Sequence, residues 1–359
     1  MNALRDQLTA HLDATTPPPP DLPAVLGRGR RIRRRRTAVA ASSLAVVAVA
    51  IGGLALSTRS TAPELPTFPA SGEARVDGGL RAYAMPGRAL HMAGRTFPDA
   101  ALDYLDTDAV ATPAGVVTYD AGLPVLLQPS GNTVLLDRGP TDRPRDFHPT
   151  AKADAARPLV AYALIDNGRV TVKVYDLDQR TVLAAAETPC RQRCSDTVID
   201  GLDSGTVFVR TREGTQVWDF RTDTWTRFAG PRTRVADVRN GVVLYDGPAP
   251  TSSAPGWRYV AGAIDAQLTY DGEHVLYWTS VLKPTRPGGT TLRLAEGPKK
   301  MGPAWFTFDT DGSVLVAVYP SDSGGDFPVY DCPLSGAACD ALEPLAPGAG
   351  DPMFMGDDM

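Results

Sequence analysis

Residues 160–187 read VAYALIDNGRVTVKVYDLDQRTVLAAAE: two apolar runs around Asn167-Gly168, a second turn from Asp176 to Arg180, then a third run. Asn-Gly between alternating runs is a strong hairpin signal, because both central residues of a type I′ turn need positive φ. The stretch therefore reads as successive short strands joined by tight turns.

The unit recurs along the chain. TVFVRTREGTQVWDFRTDTWTRFA (206–229) turns at Glu213-Gly214 and again from Arg221 to Thr224; VADVRNGVVLYDG (235–247) turns at Asn240-Gly241. QLTYDGEHVLYWTSV turns at Asp271-Gly272, WFTFDTDGSVLVAVY at Asp311-Gly312, and the weaker PVLLQPSGNTVLLDRG at Ser130 to Asn132. Tyr175-Asp176 and Trp218-Asp219 are 43 positions apart, and Asp271 precedes Asp311 by 40. A period of about 40 to 45 residues with four strands per unit is propeller-blade spacing, whereas the strands of a sandwich do not repeat as a blade-length unit. The fold expected is all-β, a six- or seven-bladed propeller over residues 76–343, preceded by one N-terminal transmembrane helix.

VYDLDQRTVL and VWDFRTDTWTRF resemble the third-strand, turn, fourth-strand segment of WD40-like and TolB-like propeller blades, and the resemblance covers most of residues 76 to 340. The layout as a whole is similar to actinobacterial single-pass membrane proteins that carry a degenerate extracytoplasmic propeller and whose role is uncharacterised.

Upstream, residues 28–56 join an arginine cluster (Arg28, Arg30, Arg31, Arg33, Arg34, Arg35 and Arg36) to an uncharged run from Ala38 to Leu56. As a helix that run spans about 28 Å, enough for one bilayer crossing. Seven arginines on its N-terminal side, against Arg59 beyond the other end, keep the N-terminus in the cytoplasm and the bulk of the chain outside. A cleaved secretory signal is the main competitor and a buried soluble helix the third reading. The n-region of 36 residues and the poor cleavage site LALSTRS favour the retained anchor. The expected order is a cytoplasmic Arg-rich tail (1–37), a transmembrane helix (38–56), a Pro-rich stalk (57–75), the propeller (76–343) and a disordered tail (344–359).

Charge separates the same regions. Residues 1–36 hold eight arginines against three aspartates, which leaves 28 basic and 38 acidic residues for the remainder. An acidic body is poorly suited to neutralising phosphates, so nucleic acid is not expected as a partner. The four cysteines, Cys190, Cys194, Cys332 and Cys339, all follow the run and form two sequence-local pairs. Disulfides 190–194 and 332–339 are expected; the alternative, a four-cysteine zinc site, favours two residues between ligands rather than three and six.

Candidate chemistry is sparse. Ser321 to Gly325, SDSGG, resembles a serine-protease nucleophile loop but has no base in a related context among His11, His91, His148 and His274, so it reads as an inter-strand loop. His148 reads as an exposed residue between blades and His274 as a blade-edge residue. Asp309 and Asp311 resemble the start of a calcium loop whose twelfth position is Pro320 instead of glutamate, so they read as turn formers. Trp218, Trp225, Trp257, Trp278 and Trp305 read as packing residues, with Trp257, in the loop-like APGWRY, the candidate for a surface contact. No phosphate-binding glycine loop and no dinucleotide fingerprint are present, so no cofactor, metal or catalytic residue is assigned.

These readings converge on a membrane-anchored extracytoplasmic propeller that binds a protein or an envelope ligand, sensory or regulatory in role, with residues 1–36 open to a cytoplasmic partner. The alternative is a propeller-based metal-dependent hydrolase or lyase of the cell envelope, which predicts His, Asp or Glu clustered around the central channel.

Overall fold

The computed structural model describes residues 79–85, 89–97, 109–120, 123–138, 151–190, 194–252, 256–263, 266–277, 281–294, 304–320, 325–347 and 351–355. The arginine cluster, the 38–56 run and the stalk lie outside them. In chain order the strands are β1 (Tyr83–Ala84), β2 (Leu90–Met92) and β3 (Arg95–Phe97); then β4 (Val110–Thr112), β5 (Gly115–Asp120), β6 (Leu123–Leu127) and β7 (Thr133–Leu135). Next come β8 (Ala151–Ala153), β9 (Leu159–Asp166), β10 (Arg169–Asp176) and β11 (Thr181–Glu187), followed by β12 (Val198–Asp203), β13 (Thr206–Thr211), β14 (Gly214–Asp219) and β15 (Thr224–Ala229). The last three groups are β16 (Arg234–Arg239), β17 (Val242–Asp246) and β18 (Arg258–Ala261); β19 (Gln267–Leu268), β20 (His274–Leu276), β21 (Val281–Pro284) and β22 (Leu292–Arg293); and β23 (Ala304–Phe308), β24 (Val314–Val318), β25 (Val329–Cys332) and β26 (Asp340–Ala341). A final strand, β27 (Met353–Phe354), returns to β1.

Each group is one sheet, seven in all, and their first strands touch in succession: β4 with β8, β8 with β12, β12 with β16, β16 with β19, and β23 with β27. Sheets arrayed around a ring of inner strands form a β-propeller, here with seven blades. Among the described residues the helical element is a single 3-10 turn, Cys194–Asp196, and no helix is long and apolar enough to cross a membrane.

The opening stretch shows why the chain folds this way. In β9, Leu159, Ala161, Ala163 and Ile165 pack toward the fourth blade, while Val160, Tyr162 and Leu164 pack toward the second. A blade is buried on both faces, so its middle strands read as continuous apolar runs although their side chains still alternate. The described buried residues form seven apolar clusters, each shared by two neighbouring blades, and the cluster around Trp305, Leu315 and Phe354 joins the seventh blade to the first. Burial stabilises each large side chain by roughly 1.5–3 kcal/mol.

Turn chemistry separates into two kinds. Asn167 and Gly168 (φ 49° and 77°) and Asn240 and Gly241 (φ 48° and 70°) form the expected positive-φ pairs. At Asp271-Gly272 and Asp311-Gly312 only the glycine has positive φ, with Gly272 N donating to Thr269 O and Gly312 N to Asp309 O, both at 2.8 Å. These are type I turns closed by a glycine, which allow a longer loop.

The C-terminal segment corrects the sequence reading. Residues 344–359 were expected to be a disordered tail, yet Leu345 pairs with Phe327, and β27 pairs antiparallel with β1 in the register Tyr83↔Phe354. Short strands have no visible period, but Phe354 and Met355 are 3% exposed because they complete the inner edge of the first blade. The propeller thus extends beyond residue 343. The fifth blade also departs from the expected repeat: β18 runs parallel to β17, and among the described residues the blade has three strands.

Candidate functional site

A propeller's inner strands converge on a channel, and here they are fastened there by polar side chains. Asp203, the last residue of β12, accepts a hydrogen bond from Gly241 N of the next blade at 2.8 Å. Asn240 Nδ2 donates to Asp271 O at 2.9 Å, one blade further on. Asp237 Oδ2 accepts from Leu268 N at 2.8 Å, and Gln267 Oε1 from Phe308 N at 3.3 Å. At the closure, Arg81 N donates to the Asp309 carboxylate at 2.9 and 3.0 Å, Leu80 N to Thr310 Oγ1 and Gly79 N to Asp311 Oδ2. A side chain at Gly79 would collide with the Asp309 carboxylate, so the chain enters its first blade pressed against the seventh. The Arg81 guanidinium adds an ion pair to Asp331 at 2.7 Å.

Where the inner strands run into these turns, a cavity of about 80 Å³ opens, with walls from all seven blades. That is room for several waters or one small organic molecule. Its charged walls are Lys152, Asp154, Arg157, Asp237 and Arg239; Gln267, Tyr270, Thr307 and Thr310 add polar groups. Arg239 is held firmly. Its Nε donates to Asp237 Oδ2 at 3.0 Å, and its guanidinium carbon lies 4.3 Å from the centre of the Tyr270 ring and 5.4 Å from that of Phe308. Stacking on an aromatic face suits a planar, weakly hydrated cation. Burial pushes the Tyr270 hydroxyl up to about 12. Asp154, 3% exposed, accepts from Ala156 N at 2.9 Å; burial first, and the nearby Asp203 second, push its carboxyl up to about 6. Ser204 N and the Arg157 charge also lie against the Asp154 carboxylate, and the Tyr270 hydroxyl against the Arg239 guanidinium, so both side chains are engaged within the wall.

The residues singled out from sequence fall elsewhere. Cys190 and Cys194 form a disulfide on the connection between the third and fourth blades, and Cys332 and Cys339 form one that clips β25 to the segment leading into β26. Trp257, expected as a surface contact, is half-buried between the fourth and fifth blades, edge-on to Phe208 at 5.3 Å. Trp218 is buried, stacks on Trp225 at 5.7 Å, and donates its indole N–H to Asp223 Oδ1 at 3.0 Å. Asp309 and Asp311 are turn residues that also form the closure. His91 stacks on Tyr83 with Nδ1 3.2 Å from Glu343 Oε2, and His274 Nε2 lies 3.0 Å from Thr290 O. His11, His148, Trp278 and Ser321 to Gly324 lie outside the described residues, and Gly325 is the described end of that loop. Among the described residues no three His, Cys, Asp or Glu are grouped to hold a metal ion.

Sequence reasoning missed the channel residues. ADVRNG (236–241) was read for its turn, although two opposite charges at alternate positions of a strand were the available sign that one edge of it faces a polar cavity.

No family model and no curated protein matches the chain. Among solved structures it is similar to TolB from Acinetobacter baumannii at 10% identity and TM-score 0.33, covering 74% of this chain and 65% of that one. It is similar to U3-55K at 11% identity and TM-score 0.33, covering 66% and 80%, and to an uncharacterized protein from Listeria monocytogenes EGD-e at 10% identity and TM-score 0.24, covering 63% and 64%. The chain thus spans just under two thirds of the TolB structure, and its assignment as a seven-bladed propeller rests on its own strand pairing.

Proposed function

We propose that this protein is a membrane-anchored, extracytoplasmic binding module whose propeller engages a protein or envelope ligand at the mouth of its channel, with a sensory or regulatory role. The observation that carries the binding reading is the cavity walled by all seven blades and lined by fixed charges. A site assembled from many blades presents convergent polar groups on a rigid frame, as ligand sites require. Anchorage and orientation rest on the arginine cluster and the apolar run that follows it. The two disulfides accord with an oxidising compartment.

The test is photo-cross-linking in intact cells from a reactive residue introduced at Asp271, exposed and next in sequence to the cavity-lining Tyr270, with a reporter enzyme fused after Met359. A discrete cross-linked species and a reporter active only outside the cytoplasm are expected. A reporter active only in the cytosol removes the anchored reading; no cross-link from any rim position removes the partner.

A further inference from the structure

The fifth and sixth blades also meet at two arginines that share one carboxylate. Arg258, the first residue of β18, is fastened by both blades: its backbone N donates to Gly241 O at 2.8 Å and its Nη2 to Gly272 O at 2.9 Å. Arg286 opens the turn between β21 and β22, where Gly289 N donates to Arg286 O at 3.2 Å and Gly288 (φ 79°) takes the left-handed position after Pro287. Between the two side chains stands Glu273, whose Oε1 is 3.1 Å from Arg286 Nη2 and 3.7 Å from Arg258 Nη2. Both guanidinium ends therefore face one point, and that point holds a single carboxylate oxygen.

One oxygen serves this position poorly. A guanidinium presents its N–H groups as a planar fork and pairs best with two oxygens at once. Glu273 offers each arginine one contact, and the contact to Arg258 is longer than a hydrogen bond. Two positive charges also meet one negative charge: burial first, and Arg286 second, hold Arg258 below its ordinary value. Asp271, the other carboxylate of this turn, is engaged by Thr269 Oγ1 and by Glu273 N. The Glu273 and Arg286 side chains are 41% and 65% exposed, so their ion pair is screened by water and gives way at little cost.

We propose that Arg258 and Arg286 form a phosphate-binding site, in which free phosphate or the phosphate of a monoester displaces the Glu273 side chain. A phosphate dianion carries more oxygens than a carboxylate, so each fork takes its own pair, and its charge balances both arginines. Glu273 is then an internal competitor that separates the two like charges when no phosphate is bound. Neither arginine lines the cavity, so the site does not depend on the channel being a ligand site.

Calorimetry on the purified full-length chain in detergent tests this, at constant ionic strength and about pH 7.5, where a phosphate monoester is a dianion. The probes are inorganic phosphate, glycerol phosphate and acetate. Saturable binding of inorganic phosphate is expected, with acetate at least about tenfold weaker. Glycerol phosphate binding as well marks a terminal phosphate on a larger molecule as the ligand; inorganic phosphate binding alone marks the free ion. Arg286→Gln, at an exposed position, should fold normally and weaken phosphate at least about tenfold. Glu273→Gln should tighten it about tenfold, because the competing charge is gone; a merely structural ion pair gives no such gain. No saturable heat from inorganic phosphate, acetate bound as tightly as phosphate, Arg286→Gln without effect, or Glu273→Gln that leaves the phosphate affinity unchanged or lower overturns the proposal.

Discussion

Asp154 and Asp309, each at or below 3% exposure, are both held at about 6, chiefly by burial, against an ordinary value of 3.8. Burial also raises Asp203. Between about pH 4 and about pH 6 the folded protein keeps protons that the unfolded chain has released, so the contribution of these carboxyls to stability is complete below about pH 4 and is lost as the pH rises through about 6. Asp219 and Asp311 run the other way: burial alone would raise them, but hydrogen bonds from Arg221, and from Ser313 and Gly79, hold them below the ordinary value. Their contribution is lost as pH falls below about 4, so the two effects occupy different windows. The urea midpoint should fall from about pH 4.5 to about pH 7.5, and less steeply in Asp154→Asn and Asp309→Asn; equal slopes in all three proteins would refute the assignment. Trp218→Ala, at a site 1% exposed, should cost about 3–5 kcal/mol in the same assay, and Trp257→Ala, at a half-buried one, clearly less.

Elements show how local chemistry and sheet geometry share the work. The Cys332–Cys339 bridge spans a separation of seven residues, and Cys332 is fully buried. Loop closure alone gives about 2 kcal/mol, so Cys339→Ser should lower the melting temperature by several degrees, read by circular dichroism with and without reductant. Wild-type protein treated with reductant should move toward the variant, and the variant itself should lose little more at this bridge. Strand-level reading was good wherever an Asn-Gly or Asp-Gly turn joined apolar runs, because the turn residues act within four positions. It was poorer at Ala93-Gly94 and Ser204-Gly205, where positive-φ pairs (φ 51° and 69°, 52° and 88°) form without asparagine or aspartate at the first position. It also failed at the fifth blade. β18 pairs parallel with β17, and the turn signal at Asn240-Gly241 says nothing about which direction or edge β18 will take.

At the scale of the molecule, the ring closes through a non-local pair: Phe354 lies opposite Tyr83, and Tyr83 donates its hydroxyl hydrogen to Glu343 O at 3.0 Å. Ending the chain after residue 347 removes β27, together with the Phe354 and Met355 side chains that pack at the two faces of the first blade. The truncated protein should melt at least several degrees lower and lose hydrogen-exchange protection first in the first and seventh blades; an unchanged melting curve would show that β27 does not close the ring. The all-β class, the blade-length period, the turns and the pairing of the cysteines were legible in the sequence alone, because each depends on residues a few positions apart or on a repeat that sums many weak local preferences. Seven blades, the closing strand, the half-buried place of Trp257 and the charged cavity were decided only in three dimensions. Arg239, Asp154 and Gln267 line one cavity because separate inner strands converge on one axis, and convergence across blades leaves no spacing in the chain to read.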